Sequence, residues 1–152
     1  MANLFSVNDK VVGITGAAGI LGNSMVHHFA QEGAKVVILD RNTEAGEKLA
    51  AEVKAGGGEV SFFYTDVLDK SVVEKNYTEI MERYGRIDVL INGAGGNMAG
   101  ATIPPDKTIF NLDLDAMRKL EDFNLFGPVL PTMVFYKAMV TAKEGSITNM
   151  AS

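Results

Sequence analysis

Residues 11–22, VVGITGAAGILG, begin as a β-branched run and carry glycines at 16, 19 and 22. A short apolar run of this kind, bounded by turn residues, reads as a buried parallel strand. Leu21, Met25 and Phe29 then recur four apart, which is helical spacing. A glycine turn between a strand and a helix lets backbone N–H groups and the helix N-terminus face a pyrophosphate. Glycines alone are a weak signal, because they also permit close packing of helix on sheet. Here the context adds to them. Residues 35–39, KVVIL, form a second strand and Asp40 follows it, close to the ~20-residue interval expected of a carboxylate that holds the adenosine ribose hydroxyls.

Outward from this unit, strand and helix alternate. Residues 60–64, 89–91 and 146–148 bring the predicted strands to five, while Val73, Tyr77, Ile80, Met81 and Tyr84 make one apolar stripe at helical spacing. Ser71 and Glu74 have the capping-box form at the head of that helix, with Asp69 a competing cap. Another helix is predicted over residues 44–54 and a fourth from near Asp115, with Asp113 and Asp115 read as its caps rather than as an acid/base pair. The pattern predicts the α/β class: a Rossmann-type doubly wound parallel sheet of five strands and about four helices, forming one domain over residues 1–152. Residues 56–58, Gly-Gly-Gly, read as a turn into the third strand. Residues 93–113, rich in Gly, Pro, Asn and Asp, read as a long loop at a strand's carboxyl end, the edge where ligands bind in such sheets. Gly127-Pro128 and Pro131 predict a kink in the last helix.

Composition excludes several functions. With 47% apolar and 22% charged residues in 152, the chain is long enough for a sizeable core. No run approaches the ~20 apolar residues of a spanning helix, and the start MANLFSVNDK lacks the form of a secretory signal, so a cytoplasmic protein without membrane contact is expected. Cysteine is absent, which removes disulfides, thiolate catalysis and Cys-ligated metal and fits a reducing compartment. A net charge of -5 with interspersed signs offers no field for nucleic acid, and a small-molecule partner is expected instead. No metal site is expected, and His27 and His28 read as one packed and one solvated residue, with His28 on the Leu21/Met25/Phe29 side. Met133, Met139 and Met150 read as apolar filler.

Taken in order, TGAAGILG, LDRN, TDV at residues 65–67, INGAG at 91–95, Asn124 in DFNLFG and the strand GSITNMAS resemble the short-chain dehydrogenase/reductase family along essentially the whole chain. The finer texture of INGAGGN and NLFGPVLPTMVFYKAM is similar to members known as D-mannonate oxidoreductases. The resemblance implies NAD as cofactor, held by Gly16, Gly19, Ile20, Leu21 and Gly22 of the turn, by Asp40 and by Arg41. It implies that Asp66 and Val67 contact the adenine, that Asn92 stabilises the central strand and that Gly93, Ala94 and Gly95 line the nucleotide. Asn124 and Ser152 would belong to a catalytic tetrad, and the helix at residues 115–143 would pair with its equivalent in a homo-oligomer. For Arg41 three readings stay open: solvated, stacked on adenine, or accepting a 2'-phosphate.

Two departures stand out. Thr15 to Gly22 follow TGxxGxxG rather than the single-domain family's usual TGxxxGxG, with Ile20 at the place of the middle glycine. The family's chemistry also needs Tyr-x-x-x-Lys after the serine strand, and none of Tyr64, Tyr77, Tyr84 or Tyr136 has lysine four residues on. Residues 1–152 are therefore expected to be an incomplete dehydrogenase lacking its second catalytic segment and inactive by itself, the intact form interconverting a secondary alcohol and a ketone on a small polar substrate such as a sugar acid. The alternative is a nucleotide-binding module or degenerate enzyme without catalysis.

Overall fold

The computed structural model describes residues 5–151. Its strands are β1 (Val11–Thr15), β2 (Lys35–Asp40), β3 (Val60–Tyr64), β4 (Val89–Asn92) and β5 (Ser146–Asn149). They form one parallel sheet in the order β3-β2-β1-β4-β5. The helices are α1 (Ile20–Gln31), α2 (Thr43–Ala55), α3 (Lys70–Tyr84), α4 (Leu114–Glu121) and α5 (Gly127–Ala142). This is the predicted doubly wound α/β architecture.

Side chains alternate across a strand, and that sorts the core into two layers. Val12, Ile14, Val36 and Ile38 pack with Val26 of α1 and with Leu49 and Val53 of α2. Val11, Val37, Leu39 and Leu90 point the other way, onto Val73 and Ile80 of α3 and Val134 and Phe135 of α5. A strand buried on both faces has no polar side, which is why β1 and β2 read as continuous apolar runs. β5, at the sheet edge, is mostly exposed.

The helix starts follow side-chain chemistry. Asn42 caps α2, Asp113 caps α4, and Asp69 rather than Ser71 caps α3, accepting from the amides of Ser71 and Val72. α4 and α5 join into one 29-residue helix, Leu114–Ala142, through a π-helical turn at Asp122–Phe126. Pro128 has no N–H to give the Asn124 carbonyl, so an extra residue enters the ladder one turn earlier, and Gly127 N–H bonds to the Asp122 carbonyl. The π-helical turn thus lies directly before Gly127-Pro128. By length and composition this helix could cross a membrane, contrary to the sequence reading. Its inner face nevertheless carries Val134, Phe135, Ala138 and Met139 into the core.

Three local expectations are corrected. His27, not His28, is the half-buried histidine, with its Nε2 3.9 Å from Glu52 on α2. Leu21 is 64% exposed, because the first turn of α1 projects past the sheet toward open space. Of the three methionines only Met139 is core, whereas Met133 and Met150 are exposed.

Opposite the carboxyl edge, a buried aspartate ties strands together through its side chain and its backbone. Asp88 accepts from the Val11 amide at 2.8 Å and from the Arg86 guanidinium, while Lys10 stands 3.7 Å away and bonds Glu144 at 2.8 Å. The Asp88 carbonyl also receives the Ser146 amide of β5. Burial opposes the charge on Asp88, yet the hydrogen bonds from Arg86 and Val11 outweigh it and hold the carboxyl below the usual carboxylate range. A depressed native pKa gives stability that is present above the unfolded value of ~3.9 and lost as pH falls through the native one. Asp88→Asn should therefore cost about 2 kcal/mol at pH 7 and flatten the loss of stability below about pH 4. Urea midpoints from pH 7 to 3 check this, and an unchanged acid slope in the variant would count against the assignment.

Candidate functional site

The sheet order reverses between β1 and β4, so the connections leaving their carboxyl ends run to opposite faces and open a crevice. A cleft of about 510 Å³ lies there. Its walls come from the β1–α1 turn, the ends of β2 and β3, the loop after β4, Phe123 of the π-helical turn and Met150 after β5.

The turn is built for close approach. Gly16 has φ +66°, and a Cβ on it would stand 2.8 Å from the Ala94 backbone. A Cβ on Gly22 would overlap the Gly16 carbonyl oxygen and lie 2.6 Å from the Ala17 Cα. These two glycines let α1 start directly over the sheet. Gly19 is the N-cap of α1 and has no side-chain cap, so the first amides of the helix lack intrahelical acceptors and its positive end faces the cleft. Ile20, where the family usually has glycine, is the first helical residue and 90% exposed. Its backbone φ is not positive, so no glycine is needed there.

At the end of β2, Asp40 accepts from the Ala18 amide through Oδ2 and from the Asn42 amide through Oδ1, each at 2.9 Å. Arg41 lies with its guanidinium over the Phe123 ring, 5.5 Å from the centroid. At the end of β3, Asp66 Oδ1 accepts the Leu68 amide at 2.9 Å. Buried Asn76 reaches from α3 to donate to the Tyr64 carbonyl and the Thr65 hydroxyl, both at 2.9 Å, and so fixes the turn that presents Asp66 and Val67.

The loop after β4 is held from two sides. Thr15 Oγ1 accepts the amides of Gly93 and Ala94 at 3.2 Å. Asn124 pairs with the backbone of Gly96 in both directions, Oδ1 accepting its N–H at 2.9 Å and Nδ2 donating to its carbonyl at 3.0 Å. Asn92 is buried beneath the cleft, its Nδ2 donating to Thr132 Oγ1 of α5 at 2.9 Å and to Asn149 Oδ1 of β5 at 2.8 Å, while its Oδ1 has no hydrogen-bond partner among the described residues.

The cleft thus gathers Gly16, Gly19, Ile20, Leu21, Gly22, Asp40, Arg41, Asp66, Val67, Gly93, Ala94 and Gly95 on its walls. Asn92 is a strut behind the wall, and Asn124 acts on the loop through Gly96. Ser152 lies outside the described residues. The sequence reading missed Phe123 and Thr15, whose roles rest on partners far away in the chain, and Asn76, whose partners Tyr64 and Thr65 lie at the end of the preceding strand. Backbone donors at a helix N-terminus, a carboxylate beside them and apolar walls beyond suit a ligand with phosphate, a vicinal diol and flat rings.

A profile of the short chain dehydrogenase family matches residues 10–152. An uncharacterised oxidoreductase of Haemophilus influenzae is 32% identical over 97% of this chain and 55% of its own. D-threitol dehydrogenase of Mycolicibacterium smegmatis is 33% identical over 97% of this chain and 54% of its own. Among solved structures, a Haemophilus protein provisionally assigned as a D-mannonate oxidoreductase, with NAD bound, superposes with a TM-score of 0.87 at 32% identity, over 95% of this chain and 55% of that one. An NAD+-bound xylitol dehydrogenase gives 0.87 at 31% identity, over 96% and 54%. The chain spans about half the length of the curated relatives it matches.

Proposed function

Because the chain belongs to the short chain dehydrogenase family, we propose that it is the NAD-binding portion of an oxidoreductase that interconverts a secondary alcohol and a ketone on a small polyhydroxylated substrate, of sugar-acid or polyol type. The observation that carries the reading is the Asp40 carboxylate at the end of β2, set against an uncapped helix start that Gly16 and Gly22 bring over the sheet. The amides of the first turn of α1 would hold the pyrophosphate, Asp40 the adenosine ribose hydroxyls, and Asp66 with Val67 the adenine. NAD, when bound, supplies the hydride acceptor. Asn124 positions the loop that carries Gly93, Ala94 and Gly95. Ser152 is assigned to the substrate oxygen, as a hydroxyl donor. The relatives' names support the substrate class, and the cysteine-free composition suits a cytoplasmic setting.

A carboxylate that accepts ribose hydroxyls repels a phosphate at the same place, and Arg41 is engaged by Phe123. NAD should bind at least about tenfold more tightly than NADP. Calorimetric titration of both nucleotides tests the reading, and equal or tighter binding of NADP would transfer control to Arg41.

We assign the outer face of the long helix to self-association. Phe126, Val129, Met133, Tyr136 and Val140 are all exposed and spaced three and four apart, which is the seam of a helix pair. A stripe of that size left open to water is a liability. The gene product should sediment as a dimer or larger at micromolar concentration, and Met133→Glu should shift it toward monomer. Monodisperse wild-type monomers would remove the assignment.

A further inference from the structure

We propose that Asp40 also latches the glycine turn in its working shape before any ligand arrives, so that nucleotide selectivity and turn geometry rest on one carboxylate. The ligand half of this inference rests on the nucleotide reading above; the latch itself does not. Ala18 lies at the crest of the turn, between Gly16 at φ +66° and Gly19 at the start of α1. The turn is anchored at its base by the Gly16 amide on the Leu39 carbonyl at 2.9 Å, and closed on itself by the Gly19 amide on the Gly16 carbonyl at 3.1 Å. No side chain caps α1. What ties the crest to the sheet is the Ala18 amide on Asp40 Oδ2, across 22 residues of chain. The second oxygen is fixed by the Asn42 amide at 2.9 Å, which stops the carboxylate from turning away. A carboxylate oxygen accepts more than one hydrogen bond, so both oxygens can take ribose hydroxyls without releasing the backbone.

The consequence is specific. Removing the carboxylate relieves repulsion of a 2'-phosphate but also frees the crest that faces the pyrophosphate. Asp40→Ala therefore weakens NAD and NADP together rather than exchanging one preference for the other. Asp40→Asn keeps one acceptor oxygen, holds one of the two amides and falls between.

Two measurements on the gene product carrying residues 1–152 separate the latch from the ribose role. The first is amide hydrogen exchange at Ala18 without nucleotide. The second is affinity for an NAD analogue whose adenosine ribose lacks both the 2'- and 3'-hydroxyls. The latch requires faster Ala18 exchange in Asp40→Ala, and about tenfold weaker binding of the analogue than wild type shows, the scale of one charge-assisted hydrogen bond. Exchange and analogue affinity that match wild type overturn it, since a pure ribose acceptor has nothing left to lose on that analogue. If Asp40→Ala does not fold, Asp40→Leu, similar in shape but with no acceptor oxygen, gives the same readouts, and no change in its Ala18 exchange overturns the latch equally. Wild type that binds neither NAD nor the analogue defeats the nucleotide reading, while Ala18 exchange still decides the latch.

Discussion

Gly22→Ala should lose nucleotide affinity by two orders of magnitude or more and lower stability by about 2 kcal/mol. The new Cβ would overlap the Gly16 carbonyl oxygen and stand 2.6 and 2.7 Å from the Cα and carbonyl oxygen of Ala17. All three atoms are backbone, so no side chain can swing aside. The turn cannot yield either, because the Gly16 amide is bonded to the Leu39 carbonyl and Ala17 is fully buried. Relief requires lifting α1 off the sheet, which disturbs the contacts of Val26 with the core. Overpacking of this kind costs about 1–3 kcal/mol or more, against a helix-propensity gain of at most ~1 kcal/mol for alanine over glycine. Lifting α1 also moves its first amides away from the phosphates, and losing two hydrogen bonds to a charged group, at about 1.5 kcal/mol or more each, costs ~10²-fold in affinity. Gly19→Ala is the internal control, since its Cβ would meet only the Gly16 carbonyl oxygen, at 3.2 Å. Chemical unfolding with NAD titration of both variants decides the matter. A Gly22→Ala protein that binds NAD within threefold of wild type would mean that the turn does not position the ligand.

Much of this was legible because its causes are local. The β-branched runs at β1 and β2, the glycine spacing and Asp40 lie within one strand–helix–strand unit, and Asp40 meets the turn from inside that unit. The long helix was legible as a helix, but its π-helical turn was not. A proline announces which hydrogen bond is missing, whereas the backbone takes up the slack where it fits, here around Asp122–Phe126. Phe123 reads in sequence as one more apolar residue on that helix. Only the π-helical turn brings it under Arg41 at the cleft. The pairing of Asn124 with Gly96, and of Asp88 with Val11 across 77 residues, has no periodic signature at all. Leu21 shows the opposite failure: it obeys the helical stripe in sequence yet faces the cleft, because a helix start that serves a ligand reaches past the layer it packs on.

Residues 1–152 expressed by themselves should turn over at least ~10²–10⁴ more slowly than an intact enzyme, the usual worth of a positioned general acid/base. The four residues that stand four places after a tyrosine are Leu68, Met81, Asp88 and Val140, so no Tyr-x-x-x-Lys pair occurs. None of the four tyrosines borders the cleft. Tyr84 donates its hydroxyl to Ser61 at 2.9 Å on the far side of the sheet, and Tyr136 stands on the outer stripe of α5 beside Lys137, one residue on and hence on a different helix face. The titratable groups that do line the cleft are Asp40, Arg41 and Asp66. Both carboxylates already accept backbone amides, which commits them to holding the turns at the ends of β2 and β3. Stability should suffer as well, since β5 is a parallel edge strand left mostly open to solvent, where such strands are ordinarily covered on both faces. NAD binding is the property expected to survive in part, because the turn, Asp40 and Asp66 are held by contacts internal to this chain. Assaying the 1–152 polypeptide beside the full gene product, with NAD(H) and a panel of polyols, sugar acids and their keto forms, gives three distinct results. Turnover by the longer product alone fits the incomplete dehydrogenase. Nucleotide binding by both with turnover by neither would favour the non-catalytic module. Comparable turnover by the short polypeptide would defeat the argument and require Asp66 or Asp40 to carry the proton.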